Sequence, residues 1–151
     1  MIALDSMRGS TSAPPERTFL SARNVLMMQV LLTNGQRTGA VRNLTCSEVK
    51  QMREVDGCFV INVKDHKTKN KFVCQLVVDD DLRAGIETFS LGRKLFLQQR
   101  DAQISQDQQK PFFCDCRGEK LFSNELARIA RAGVGGTVTD MRKAQYHLVS
   151  W

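Results

Sequence analysis

At 151 residues, with 42% hydrophobic and 25% charged residues, the chain is long enough for one domain whose core needs neither disulfides nor a structural metal. A formal charge of +6 and an isoelectric point near 9.3 favour a polyanionic partner over an acidic-faced role. Five scattered cysteines suggest a reducing compartment. The lone Cys114-Asp115-Cys116 has no second pair or nearby His to complete a zinc site, and no stretch approaches the ~18 apolar residues of a membrane span.

Residues 1–15 carry Ser, Thr, Gly and Pro14-Pro15 without periodicity and read as a flexible leader; residues 16–151 read as the folded domain. No secretory signal begins the chain, so an intracellular protein is expected. From Glu16, the residues Phe19, Val25, Leu26, Met27, Met28, Val30, Leu31 and Leu32 predict a helix that becomes apolar all round, as in the middle of a bundle. A turn at Asn34-Gly35 and a short helix over 36–43 follow. Arg37 would then stand beside free backbone N–H groups, an arrangement suited to a phosphate. Thr45-Cys46-Ser47-Glu48 has the spacing of a capping box and starts a third, brief helix.

Two β-branched and aromatic runs, 58–63 and 72–78, predict strands joined by the Lys-rich segment 64–71. Asp79, Asp80 and Asp81 then supply acids to the start of a helix whose apolar positions are Leu82, Ile86, Phe89 and Phe96. A glutamine-rich tract over 98–109 reads as a surface loop. Phe112-Phe113 precedes a turn at 117–120, and Ser123 caps a helix through Leu126, Ile129 and Ala130 that Gly133, Gly135 and Gly136 should break. A last helix is expected from about Thr137, carrying Arg142 and packing through Met141, Leu148 and Val149. The fold class is therefore α+β, mainly helical with a small antiparallel hairpin or three-stranded sheet.

Three short motifs recur here in one order: Gly35-Gln36-Arg37 with Leu44 seven positions on, His66-Lys67-Thr68 between the strands, and Thr139-Asp140-Met141-Arg142. Over roughly residues 17–150 this order resembles the catalytic domain of tyrosine recombinases, the phage-integrase superfamily, and looks closest to the recombinase-like sequences of eukaryotic mobile elements. The resemblance implies the catalytic core of a DNA breaking-rejoining enzyme. It casts Arg37 and Arg142 as a clamp on the scissile phosphate and Lys67 as the general acid for the leaving 5′-oxygen, with Lys64, Lys69 and Lys71 as competitors for that role. Guanidinium suits the clamp because it stays cationic and presents a planar fork of donors. An ammonium can act as an acid where neighbouring cations lower its pKa.

Two departures from the family pattern bear on catalysis. Thr139 stands where the family commonly has His; it can donate a hydrogen bond or cap the helix but cannot shuttle protons near neutral pH. The family's nucleophilic Tyr lies well beyond its second Arg, whereas the sole Tyr here, Tyr146, follows Arg142 by one helical turn and reads as a half-buried core side chain, and His147 reads as a packed or surface residue. The expectation is thus an incomplete recombinase-like domain that binds double-stranded DNA without cleaving it alone. Arg37, Arg42, Lys64, Lys67, Lys69, Arg142 and Lys143 are the expected DNA contacts. Self-association on DNA, nuclear location, and no cofactor, metal or membrane complete the reading. The alternative is a non-catalytic DNA-binding or protein-interaction module derived from a mobile element.

Overall fold

The computed structural model describes residues 2–35, 37–64, 74–100 and 110–134. Six helices and three strands are present among them: α1 (Ile2–Met7), α2 (Glu16–Thr33), α3 (Thr38–Asn43), α4 (Cys46–Lys50), β1 (Arg53–Val55), β2 (Cys58–Val63), β3 (Cys74–Val78), α5 (Asp80–Arg100) and α6 (Ser123–Val134). The strands form one antiparallel sheet in the order β1-β2-β3, so the architecture is α+β and mostly helical.

The two long helices are the frame. In α2 the buried positions Phe19, Ala22, Leu26, Met27, Val30 and Leu31 recur at helical spacing, while Val25, Met28 and Leu32 are only half-buried. The helix therefore buries a stripe and not its whole circumference, because the flanking half-turns meet fewer neighbours than an all-apolar run suggests. Helix α5 packs on it through Leu82, Ile86, Phe89, Phe96 and Leu97. Its start is fixed by Asp79, whose Oδ1 accepts the Leu82 N–H at 2.7 Å. Between the helices Phe19 stacks on Phe96 at 4.3 Å and on Phe89 at 5.6 Å, and Phe89 meets Phe112 edge-on and Phe113 at a tilt.

The leader departs from its expected irregularity. Helix α1 lies against both α2 and α5, with Leu4 and Met7 buried. The reason is on α5: a Cβ at Gly92 would stand 1.8 Å from Met7 Cε, and one at Gly85 would be 3.2 Å from Leu26 Cδ1 and 3.7 Å from Leu4 Cδ1. Six residues make no stable helix in isolation, so α1 exists by packing into the shallow track that these two glycines leave.

The capping box forms as read from the sequence: Thr45 Oγ1 accepts the Glu48 N–H at 3.2 Å, and Glu48 Oε1 accepts the Thr45 N–H at 3.0 Å. Strand β1 is joined to β2 by Asp56-Gly57, both at positive φ (51° and 84°), which is the two-residue turn that suits the twist of a hairpin. In β3 alternate residues Cys74, Leu76 and Val78 face the core. Beyond α5, the segment 110–114 is tied down by two arginines. Arg23 Nη1 donates to Cys114 O at 3.0 Å, and Arg93 donates to Phe112 O at 3.0 Å and Pro111 O at 2.8 Å. Helix α6 continues through Gly133 to Val134, so that glycine does not break it. The expected helix after 137 lies outside the described residues.

Candidate nucleic-acid interface

Hydrogen bonds at the end of α2 and the start of α3 build the site around Arg37. Helix α2 ends at Asn34, whose backbone N–H reaches Val30 O and Leu31 O. The Asn34 side chain accepts the Val77 N–H at 2.6 Å and donates to Val77 O at 3.1 Å and to Val30 O at 2.9 Å. Gly35, at φ +63°, then turns the chain in a conformation that side chains rarely adopt. Arg37 follows as the N-cap residue of α3, its carbonyl accepting the Val41 N–H at 3.0 Å. The exposed Arg37 side chain donates from Nη1 to Cys74 Sγ at 3.4 Å.

Cys74 is the first residue of β3 and pairs with Val63, the last of β2. Arg37 therefore stands at the end of the sheet where β2 stops and β3 starts, the two strands that the Lys-rich segment 64–71 joins in the sequence. Lys64 is exposed there, with its N–H held by Glu48 Oε2 at 2.8 Å. One buried carboxylate thus starts α4 and fixes the point at which the basic segment departs.

Arg42 has a different setting. It is half-buried and donates from Nε to Leu121 O at 2.7 Å, which ties α3 to the chain just before α6. Helix α3 has six residues, and Arg37 caps it from outside, so the guanidinium itself rather than a run of free helical N–H groups is the polar feature of this turn. Lys67, Lys69, Thr139, Arg142 and Lys143 lie outside the described residues, as do Lys71, Tyr146 and His147. Asn34, Cys74 and Glu48 are contributors that pattern reading did not single out as such. Their partners are distant in sequence, and only the capping spacing of Glu48 was a legible signal.

The titratable groups with clear shifts are structural and sit elsewhere. Burial lowers the pKa of the Arg23 guanidinium. Burial likewise pushes the Cys114 thiol up to about 11. Cys116 is also raised to about 11, by desolvation and then by its hydrogen bond with Glu16. Among the described residues no group of three or more His, Cys, Asp and Glu side chains could hold a metal ion, and no helix is long and apolar enough to cross a membrane.

The chain matches no protein-family profile and no curated protein in sequence. Among solved structures it is similar to the XerH site-specific recombinase in a pre-cleavage complex bound to its difH substrate, with a TM-score of 0.53 at 17% sequence identity. The likeness is one of fold. The match covers 93% of this chain and 37% of that recombinase chain. At this identity the comparison speaks for the fold alone, and it agrees with the α+β, mainly helical class expected from the sequence.

Proposed function

We propose that this chain is a tyrosine recombinase-like domain, of the type carried by eukaryotic mobile elements, that binds double-stranded DNA through its phosphates in the course of recombination or integration in the nucleus. The observation that carries the reading is the placement of Arg37. Its exposed guanidinium is held at the end of the sheet where the Lys-rich connection begins, in a chain whose fold matches a recombinase over nearly all its length. Arg37 takes a phosphate oxygen through its remaining donors, and Lys64, Lys67 and Lys69 add positive charge along the same backbone. Arg142 and Lys143 complete the contact in this reading. Arg42 serves first to pack α3, because its Nε is already engaged by Leu121 O.

The test is duplex binding as a function of salt. Nonspecific affinity in the range of about 10⁻⁴–10⁻⁶ M at physiological salt is expected, with log K falling linearly as log salt rises. Arg37→Ala should weaken binding to unrelated duplexes alike and make the slope shallower by about one. A chain that shows no salt-dependent affinity for duplex DNA, while folded by circular dichroism, would overturn the proposal. In a nicked suicide substrate no covalent adduct is expected with this chain. An adduct at Tyr146 would show a nucleophile that the sequence reading does not assign.

A further inference from the structure

Two side chains at the end of α2 and the start of α3 reach β3. Asn34 stands opposite Val77, and Arg37 stands opposite Cys74, three residues along in each direction. No backbone bond fastens Asn34 to Val77. The Asn34 carboxamide does so instead, accepting from the Val77 N–H and donating to its carbonyl, the same exchange that a peptide on a neighbouring strand would make. Its second donation, to Val30 O, ties that clamp to the last turn of α2. The turn is thus gripped at one end by an amide and at the other by a sulfur.

We infer that Asn34 and Cys74 are positioning residues for Arg37 in DNA binding: Asn34 sets the backbone of the turn against β3, and Cys74 Sγ orients the guanidinium. The inference rests on the proposed role of Arg37. Arginine carries several rotatable bonds, and a phosphate contact is stronger when the rotamer is held before DNA arrives. The Cys74 thiol takes one donor, which leaves the other nitrogens of the planar fork for the anion. Valine or leucine at 34 could fill the space but could not pair with both groups of Val77.

The experiment measures duplex affinity and its salt slope for the full chain carrying Asn34→Ala, Cys74→Ala, Cys74→Ser, Arg37→Ala and the Asn34→Ala/Arg37→Ala pair, with urea unfolding in parallel. Arg37→Ala is expected to lower affinity roughly tenfold, as for the loss of one charge-assisted hydrogen bond, and to reduce the slope by about one. Asn34→Ala should reproduce most of both changes, and the double variant should fall no further than Arg37→Ala alone. Cys74→Ala should weaken binding severalfold, and Cys74→Ser, which keeps an acceptor, should restore it. This pair keeps the inference testable if Asn34→Ala does not fold.

A purely structural role would lower the urea midpoint of Asn34→Ala without moving the salt slope. If Arg37→Ala changes the slope while both Asn34→Ala and Cys74→Ala leave it untouched, the positioning role is overturned and the function stands. If Arg37→Ala itself changes nothing, the phosphate reading of Arg37 fails and the inference falls with it.

Discussion

Replacing Glu48 should be among the most damaging single changes at a polar residue in this chain. Its carboxylate is buried and accepts three donors: Thr45 N–H at 3.0 Å, Thr45 Oγ1 at 3.1 Å and Lys64 N–H at 2.8 Å. Glu48→Ala removes the reciprocal half of a capping box, about 1 kcal/mol. It also strands the Lys64 N–H where β2 ends, about 1–3 kcal/mol for a donor left without its partner. The expected loss is therefore about 2–4 kcal/mol, a fall in Tm of roughly 5–15 °C for a domain of this size. Glu48→Gln keeps one acceptor oxygen but turns the other into a donor, so at least one of the three partners is lost, at a cost of about 1–2 kcal/mol. Thr45→Ala breaks the cap while sparing Lys64 and should cost less than Glu48→Ala. Urea unfolding followed by circular dichroism measures all three, with unchanged m-values as the sign that the same surface is exposed. A loss below about 0.5 kcal/mol for Glu48→Ala, or one no larger than that of Thr45→Ala, would refute the argument that this carboxylate joins α4 to the end of β2.

Two further outcomes follow from the packing and the shifted thiol. Met7→Ala should destabilise by about 2 kcal/mol, the low end for a buried methionine because α1 is a terminal element. Gly92→Leu should displace α1 from α5, and an unchanged Tm in either variant would return residues 2–7 to the status of a loose leader. Cys114 has its pKa raised from 9.0 to about 11, chiefly by burial, so its contribution is complete below pH 9. As pH climbs from 9 to 11 the unfolded chain loses this proton first, and stability falls by at most about 2–3 kcal/mol before levelling off. Thermal unfolding of Cys114→Ala should show a shallower alkaline decline than the parent; parallel curves would deny that this thiol is the source.

Much of the fold was legible because its signals are local. The box at Thr45 and Glu48, the acids before Leu82, the β-branched run at 58–63 and the periodic Leu82, Ile86 and Phe89 each act within a few residues, where backbone hydrogen bonding and side-chain direction already fix the outcome. Asp56-Gly57 was an equally local sign, a hairpin dipeptide that announces β1, and it was legible though unread. The glycines seven apart on α5, Gly85 and Gly92, likewise carried a hint of close approach, but not of which element would approach.

At the candidate site the division is sharper. Sequence alone determined the Asn-Gly turn, the arginine after it and the basic connection between two strands, since these need only residue type and neighbour order. Tertiary structure alone decided that Asn34 would pair with Val77, that Arg37 would meet Cys74, and that Arg42 would be drawn to Leu121. Each of those bonds joins residues far apart in the chain. Their formation depends on where α2 and the sheet are carried by a shared core, and a hydrogen bond a few ångströms long leaves no trace in the sequence between its ends.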